Sequence, residues 1–79
     1  MNARDNAKKV FPERLQERRK KLSMTQMELA EIVGIRCESI RLYELGKAMP
    51  SGDKLAGMAK ALGVSSDWLL GLTERMDGK

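Results

Sequence analysis

The stretch Thr25–Lys47, TQMELAEIVGIRCESIRLYELGK, decides how the rest of the chain is read. Thr25 is a helix N-cap residue type, and Glu28 three residues later completes a capping box that satisfies two orphan amide donors at a helix start. A helix is therefore expected from Gln26. Leu29, Ala30, Ile32 and Val33 recur at helical spacing until Gly34, the residue type that takes positive φ at a helix end without steric cost. A second short helix follows, with Ile35, Ile40 and Tyr43 on one side and Gly46 as its stop.

Stepping about 100° per residue from Ile40, Tyr43 and Glu44 fall within roughly 60° of it. Glu38, Leu42 and Leu45 lie on the far side with Arg41 at the flank, and Arg36 and Cys37 can reach past the helix start. The helix at residues 36–45 thus has a core face and an outward face, the layout needed to enter the major groove of DNA N-terminus first. By the chemistry of base edges, Arg36 and Arg41 suit guanine, Glu38 can accept from a cytosine amine, and Leu42 can pack on a thymine methyl.

Counted from Gln26, alanine at the fifth place (Ala30), glycine at the ninth (Gly34) and apolar residues at Leu29, Val33, Ile35, Ile40 and Tyr43 resemble the helix-turn-helix of the Cro and phage-repressor (XRE-like) family. The phrases YELGKAMPS and LAGMAKALGVSSDWLLG continue the likeness, which runs from about Leu15 to Leu72. Two helices crossing near a right angle need a small contact residue, and a tight turn needs a glycine, so Ala30, Gly34 and Ile40 carry structural roles. The resemblance implies an all-α, compact five-helix bundle of the lambda-repressor-like DNA-binding type. It also implies a pair between Arg19 and Glu44, a base-contacting place for Cys37, and phosphate clamps at Gln26 and Lys47. Gln26 has a physical reason as well, since a helix N-terminus offers free amide donors and a positive dipole end to an anion. Arg14 and Lys21 are further phosphate candidates.

The chain departs from the family at two places. Arg18 stands where many members have leucine, which thins the inward stripe of the first helix. Arg36 replaces the usual serine or threonine cap, at a cost of about 1 kcal/mol in helix stability.

Outside the motif, residues 1–10 lack an apolar period and are expected to form a flexible basic arm. The domain is expected over residues 11–72. Its first helix starts at Phe11 with Pro12 in the first turn, and Phe11, Leu15 and Leu22 face inward. Ser51 caps a fourth helix carrying Leu55, Met58, Ala59 and Leu62 up to Gly63. Ser65 or Ser66 caps a fifth, with Trp68 either in the core or as a partner-binding anchor. Residues 73–79 are expected as a polar, mobile tail.

The chain has 79 residues and a net charge of +4, and eight basic against three acidic residues fall before Thr25. Such an excess suits phosphates, or a solvated helix face. One cysteine and no histidine leave no disulfide framework, metal set or general acid–base pair, so neither catalysis nor a cofactor is expected. No apolar run approaches the ~18 residues of a membrane span and no signal core opens the chain, from which a cytoplasmic protein is expected. The expected partner is double-stranded DNA carrying a pseudo-palindromic operator, bound by a homodimer formed through the C-terminal helices. The alternative is an antitoxin or adaptor-type interaction module with secondary DNA binding.

Overall fold

A computed structural model describes residues 2–77. Five helices follow one another: α1 Ala3–Lys21, α2 Gln26–Val33, α3 Cys37–Glu44, α4 Gly52–Leu62 and α5 Ser66–Leu69, with no strand among the described residues. One core joins Phe11 and Leu15 of α1, Leu29 and Ala30 of α2, Ile40 and Tyr43 of α3, Met58, Ala59 and Leu62 of α4, and Trp68 and Leu69 of α5. Phe11 meets Tyr43 edge to face, with ring centroids 6.1 Å apart, which couples α1 directly to α3.

α1 begins eight residues earlier than the sequence suggested, so residues from Ala3 onward are helix and not an arm; Met1 lies outside the described residues. The start is set by Asn2, whose side-chain oxygen accepts from the Asp5 amide at 2.9 Å, and Asp5 complements the positive end of the helix. Pro12 consequently sits inside the helix and not in its first turn. It has no amide hydrogen to give the carbonyl of Lys8. Its buried ring instead packs under the loop after α3, within 3.6 Å of where a Cβ on Gly46 would stand.

Leu22, expected inward, is the C-cap of α1 and 38% exposed; the inward place one turn after Leu15 is taken by Arg19. Ser23 then takes φ 58, its amide donating to Lys20 and that of Met24 to Arg19, so the chain turns on a left-handed serine. Arg18 supplies what the missing leucine does not. Its Nε donates at 3.0 Å to the carbonyl of Leu62, an orphan acceptor at the end of α4, where a cation also suits the helix dipole.

α2 and α3 are joined as expected at Gly34, φ 84, whose amide and that of Ile35 both return to Ala30. The Thr25–Glu28 box is formed in both directions, at 2.9 and 3.0 Å. Ser51 occupies the N-cap of α4 without a side-chain cap bond, and its hydroxyl donates to Asp53 at 2.5 Å. Ser65 caps α5 through the Trp68 amide.

The segment after α5 folds back. The Met76 carbonyl accepts from the Ser65 amide at 2.6 Å, and Arg14 holds Thr73 and Glu74, so described residues 73–77 are docked where a mobile tail was expected. Gly78 and Lys79 lie outside the described residues.

Candidate nucleic-acid interface

One buried carboxylate orients α3. Arg19 Nε and Nη2 donate to Glu44 Oε2 and Oε1 at 2.6 and 2.9 Å, and the side chains are 9% and 2% exposed. The remaining end of the guanidinium donates from Nη1 to the Met24 carbonyl at 2.8 Å. Gln26 Nε2 adds a fourth tie, to Glu44 Oε1 at 3.1 Å. The Glu44 hydrogen bond raises the pKa of Arg19, against the opposing effect of burial. Charge-assisted bonds thus fasten the end of α3 to α1 and to the start of α2, and Arg19 also ties α1 to the turn before α2.

With Ile40 and Tyr43 inward and Glu44 held, Glu38 and Arg41 of α3 face out. Arg36 is its exposed N-cap and makes no side-chain cap bond. Glu38 and Arg41 are exposed and joined to each other, Arg41 Nε donating to Glu38 Oε2 at 3.1 Å and Nη2 to Oε1. The bond to Arg41 holds the Glu38 carboxyl below the usual carboxylate range and raises the guanidinium. Glu38, read from the sequence as an acceptor for cytosine, therefore has a partner already. Leu42 is half-buried, and Leu45 is the more exposed apolar side chain of the outward face. Cys37 is half-buried and packs against the core, which makes it more a filler at the start of α3 than a group reaching outward.

Lys47 is exposed directly after α3. The Gly46 amide donates to Tyr43 and the Lys47 amide to Leu42, a helix stop after which the lysine side chain makes no hydrogen bond among the described residues. It shares a cleft of about 250 Å³ with Lys8, Gly46, Ala48 and Met49. Lys8, in the stretch read from the sequence as a basic arm, reaches this cleft from the early turns of α1.

Arg14 and Lys21 do not belong to this surface. Arg14 Nη1 donates to the carbonyls of Trp68 and Thr73 at 2.6 and 2.8 Å, its Nη2 pairs with Glu74, and its guanidinium lies 4.8 Å from the Trp68 ring centroid. Lys21 lines a cleft with Glu17, Arg18, Trp68 and Met76. Helical spacing puts residues 14, 18 and 21 on one face of α1, turned to α5 and the segment behind it, whereas Arg19 lies roughly 140° around from Arg14.

A small bundle in which a buried ion pair presents one short helix after a glycine turn is the architecture of a helix-turn-helix domain. The chain belongs to the helix-turn-helix family, whose model matches residues 15–69. It is 40% identical over 61 residues to repressor protein C2 of Salmonella phage P22, covering 77% of this chain and 28% of that protein. To the cryptic phage CTXphi transcriptional repressor RstR of Vibrio cholerae it is 39% identical over 59 residues, 75% of this chain and 53% of that one. To the HTH-type transcriptional regulator YobD of Bacillus subtilis it is 39% identical over 70 residues, 89% and 62% respectively. The chain thus spans less than two thirds of each of these relatives. Among solved structures, the P22 c2 repressor in complex with a synthetic operator superposes with a TM-score of 0.75 at 37% identity, covering 76% of this chain and 91% of that one. The solution structure of the P22 c2 DNA-binding domain gives 0.75 at 36% identity, with 89% and 86% covered.

Proposed function

We propose that this chain binds double-stranded DNA by sequence and acts as a transcriptional repressor in the cytoplasm, with α3 in the major groove. The observation that carries the reading is the Arg19–Glu44–Gln26 cluster, which turns the N-terminal and outward residues of α3 away from the core in a fold shared with an operator-bound repressor. Arg36 and Arg41 read guanine, and Leu42 and Leu45 offer apolar contact to thymine methyls. Gln26 uses one amide hydrogen on Glu44, leaves the other for a phosphate, and adds the amide donors at the start of α2. Lys47 takes a second phosphate. These two contacts set orientation without reading sequence.

A two-fold dimer formed through α5 and its neighbouring segment doubles the information read and sets the two α3 helices about 34 Å apart on a pseudo-palindromic operator. The role is one of binding, with no catalytic step. Selection of bound duplexes from a random pool tests it. A recovered pseudo-palindrome with half-sites about one helical turn apart is expected, and a pool that never departs from random would reject the reading.

A further inference from the structure

Two exposed, oppositely charged side chains three residues apart on a helix usually form a loose surface pair. Here the geometry of the pair on α3 does more. An arginine carries five N–H donors, four of them arranged along a side edge (Nε and one Nη2 hydrogen) and an end edge (one hydrogen from each Nη). Glu38 takes the side edge of Arg41 with both carboxylate oxygens. The end edge, whose spacing matches guanine N7 and O6, makes no hydrogen bond among the described residues and is left for a base. Had the carboxylate taken the end edge, it would compete with guanine; from the side it braces the guanidinium in one plane.

We propose that Glu38 is a positioning residue for Arg41, fixing its guanidinium for bidentate contact with one guanine and restraining it from random phosphates. The inference rests on the base-reading role of α3 set out above. Bracing removes rotamer freedom from a long side chain before DNA is met, so less is lost on binding. The carboxylate also cancels most of the charge that would draw Arg41 to any phosphate, and it repels phosphates itself. Both effects turn Arg41 from a general attractor into a selective one. Side chains exposed by 50% and 59% have no part in holding the core, so Glu38 can be replaced without loss of fold.

The test uses the full chain, a selected operator, every single base-pair change within one half-site, and random DNA at several salt concentrations. First, Arg41→Ala locates the base pair that Arg41 reads. Glu38→Ala is then expected to lower discrimination at that same pair by about three- to tenfold, a fraction of what a bidentate arginine supplies. It should tighten binding to random DNA and steepen its salt dependence by up to about one unit of slope. Glu38→Gln, which keeps the shape and loses the charge, should fall between. In the Arg41→Ala background, Glu38→Ala should change no base preference at all.

A Glu38→Ala effect at a different base pair that persists without Arg41 would mean that Glu38 reads a base itself, and the proposal would fall. Unchanged discrimination at the Arg41 pair would overturn it equally, while leaving the repressor reading intact. Wild-type protein with no preference for any duplex would instead remove that reading, and this inference with it.

Discussion

At the scale of single residues, the Glu44 carboxylate has the largest energetic consequence. It is almost wholly enclosed and receives donors from two other helices. Removing one partner of a buried pair leaves a charge without compensation, which costs about 3–5 kcal/mol, whereas removing both leaves none. Arg19→Met and Glu44→Leu should therefore each destabilise strongly in urea, and the double variant should lose clearly less than the two losses together. Simple additivity would mean that the two side chains do not interact. Ser23 has the opposite sign. A serine at φ 58 is strained by roughly 1–2 kcal/mol where a glycine is not, offset in part by the freer unfolded chain of glycine. Ser23→Gly should raise Tm by roughly 2–8 °C, for a net gain of about 0.5–1 kcal/mol. An unchanged or lower Tm would show the serine conformation to be unstrained.

At the scale of elements, what could be read in advance depended on whether a residue announces its backbone state. Thr25 with Glu28 and the positive-φ glycines at 34, 46, 63 and 71 do so, and the boundaries of α2 and α3 were legible from them. Ser23 does not. Neither does Asn2, a cap placed before a stretch with no apolar period, and so the first two turns of α1 passed for an arm and Pro12 for a helix start. Arg14 read as a phosphate contact and Arg18 as a gap in the inward stripe because their acceptors are backbone carbonyls 44 to 59 residues away, which no local pattern reveals. The glycines themselves differ in what they permit. A Cβ on Gly34 meets nothing within 4 Å, so Gly34→Ala should cost only its backbone strain, about 1–2 kcal/mol. At Gly71 the same atom would lie 2.9 Å from Val10, against α1, adding a steric cost. Gly71→Ala should destabilise more than Gly34→Ala in thermal melts, and Val10→Ala should recover part of the loss at Gly71 and none at Gly34. Equal losses, or rescue of both, would contradict the close approach of α1 to the end of α5.

For the whole molecule, two kinds of contact with DNA should separate in solution. Arg41→Ala should weaken the selected operator by about 1–3 kcal/mol, relax one base position, and affect random DNA less. Lys47→Ala should weaken both by similar factors and lower the slope of log affinity against log salt by up to about one unit. Identical profiles for the two would remove α3 as the base-reading element. The docked end of the chain has an optical consequence too. The single tryptophan, Trp68, lies under the Arg14 guanidinium on the face of α1 turned away from Glu44, so its emission reports closure of the C-terminal segment. Addition of operator should leave that emission almost unmoved. Because the same indole belongs to the common core, its fluorescence melt should coincide with the loss of ellipticity at 222 nm, as one cooperative transition requires. In Arg14→Ala the emission should shift to the red well below the melt while ellipticity holds, turning one side chain into a gauge of local opening.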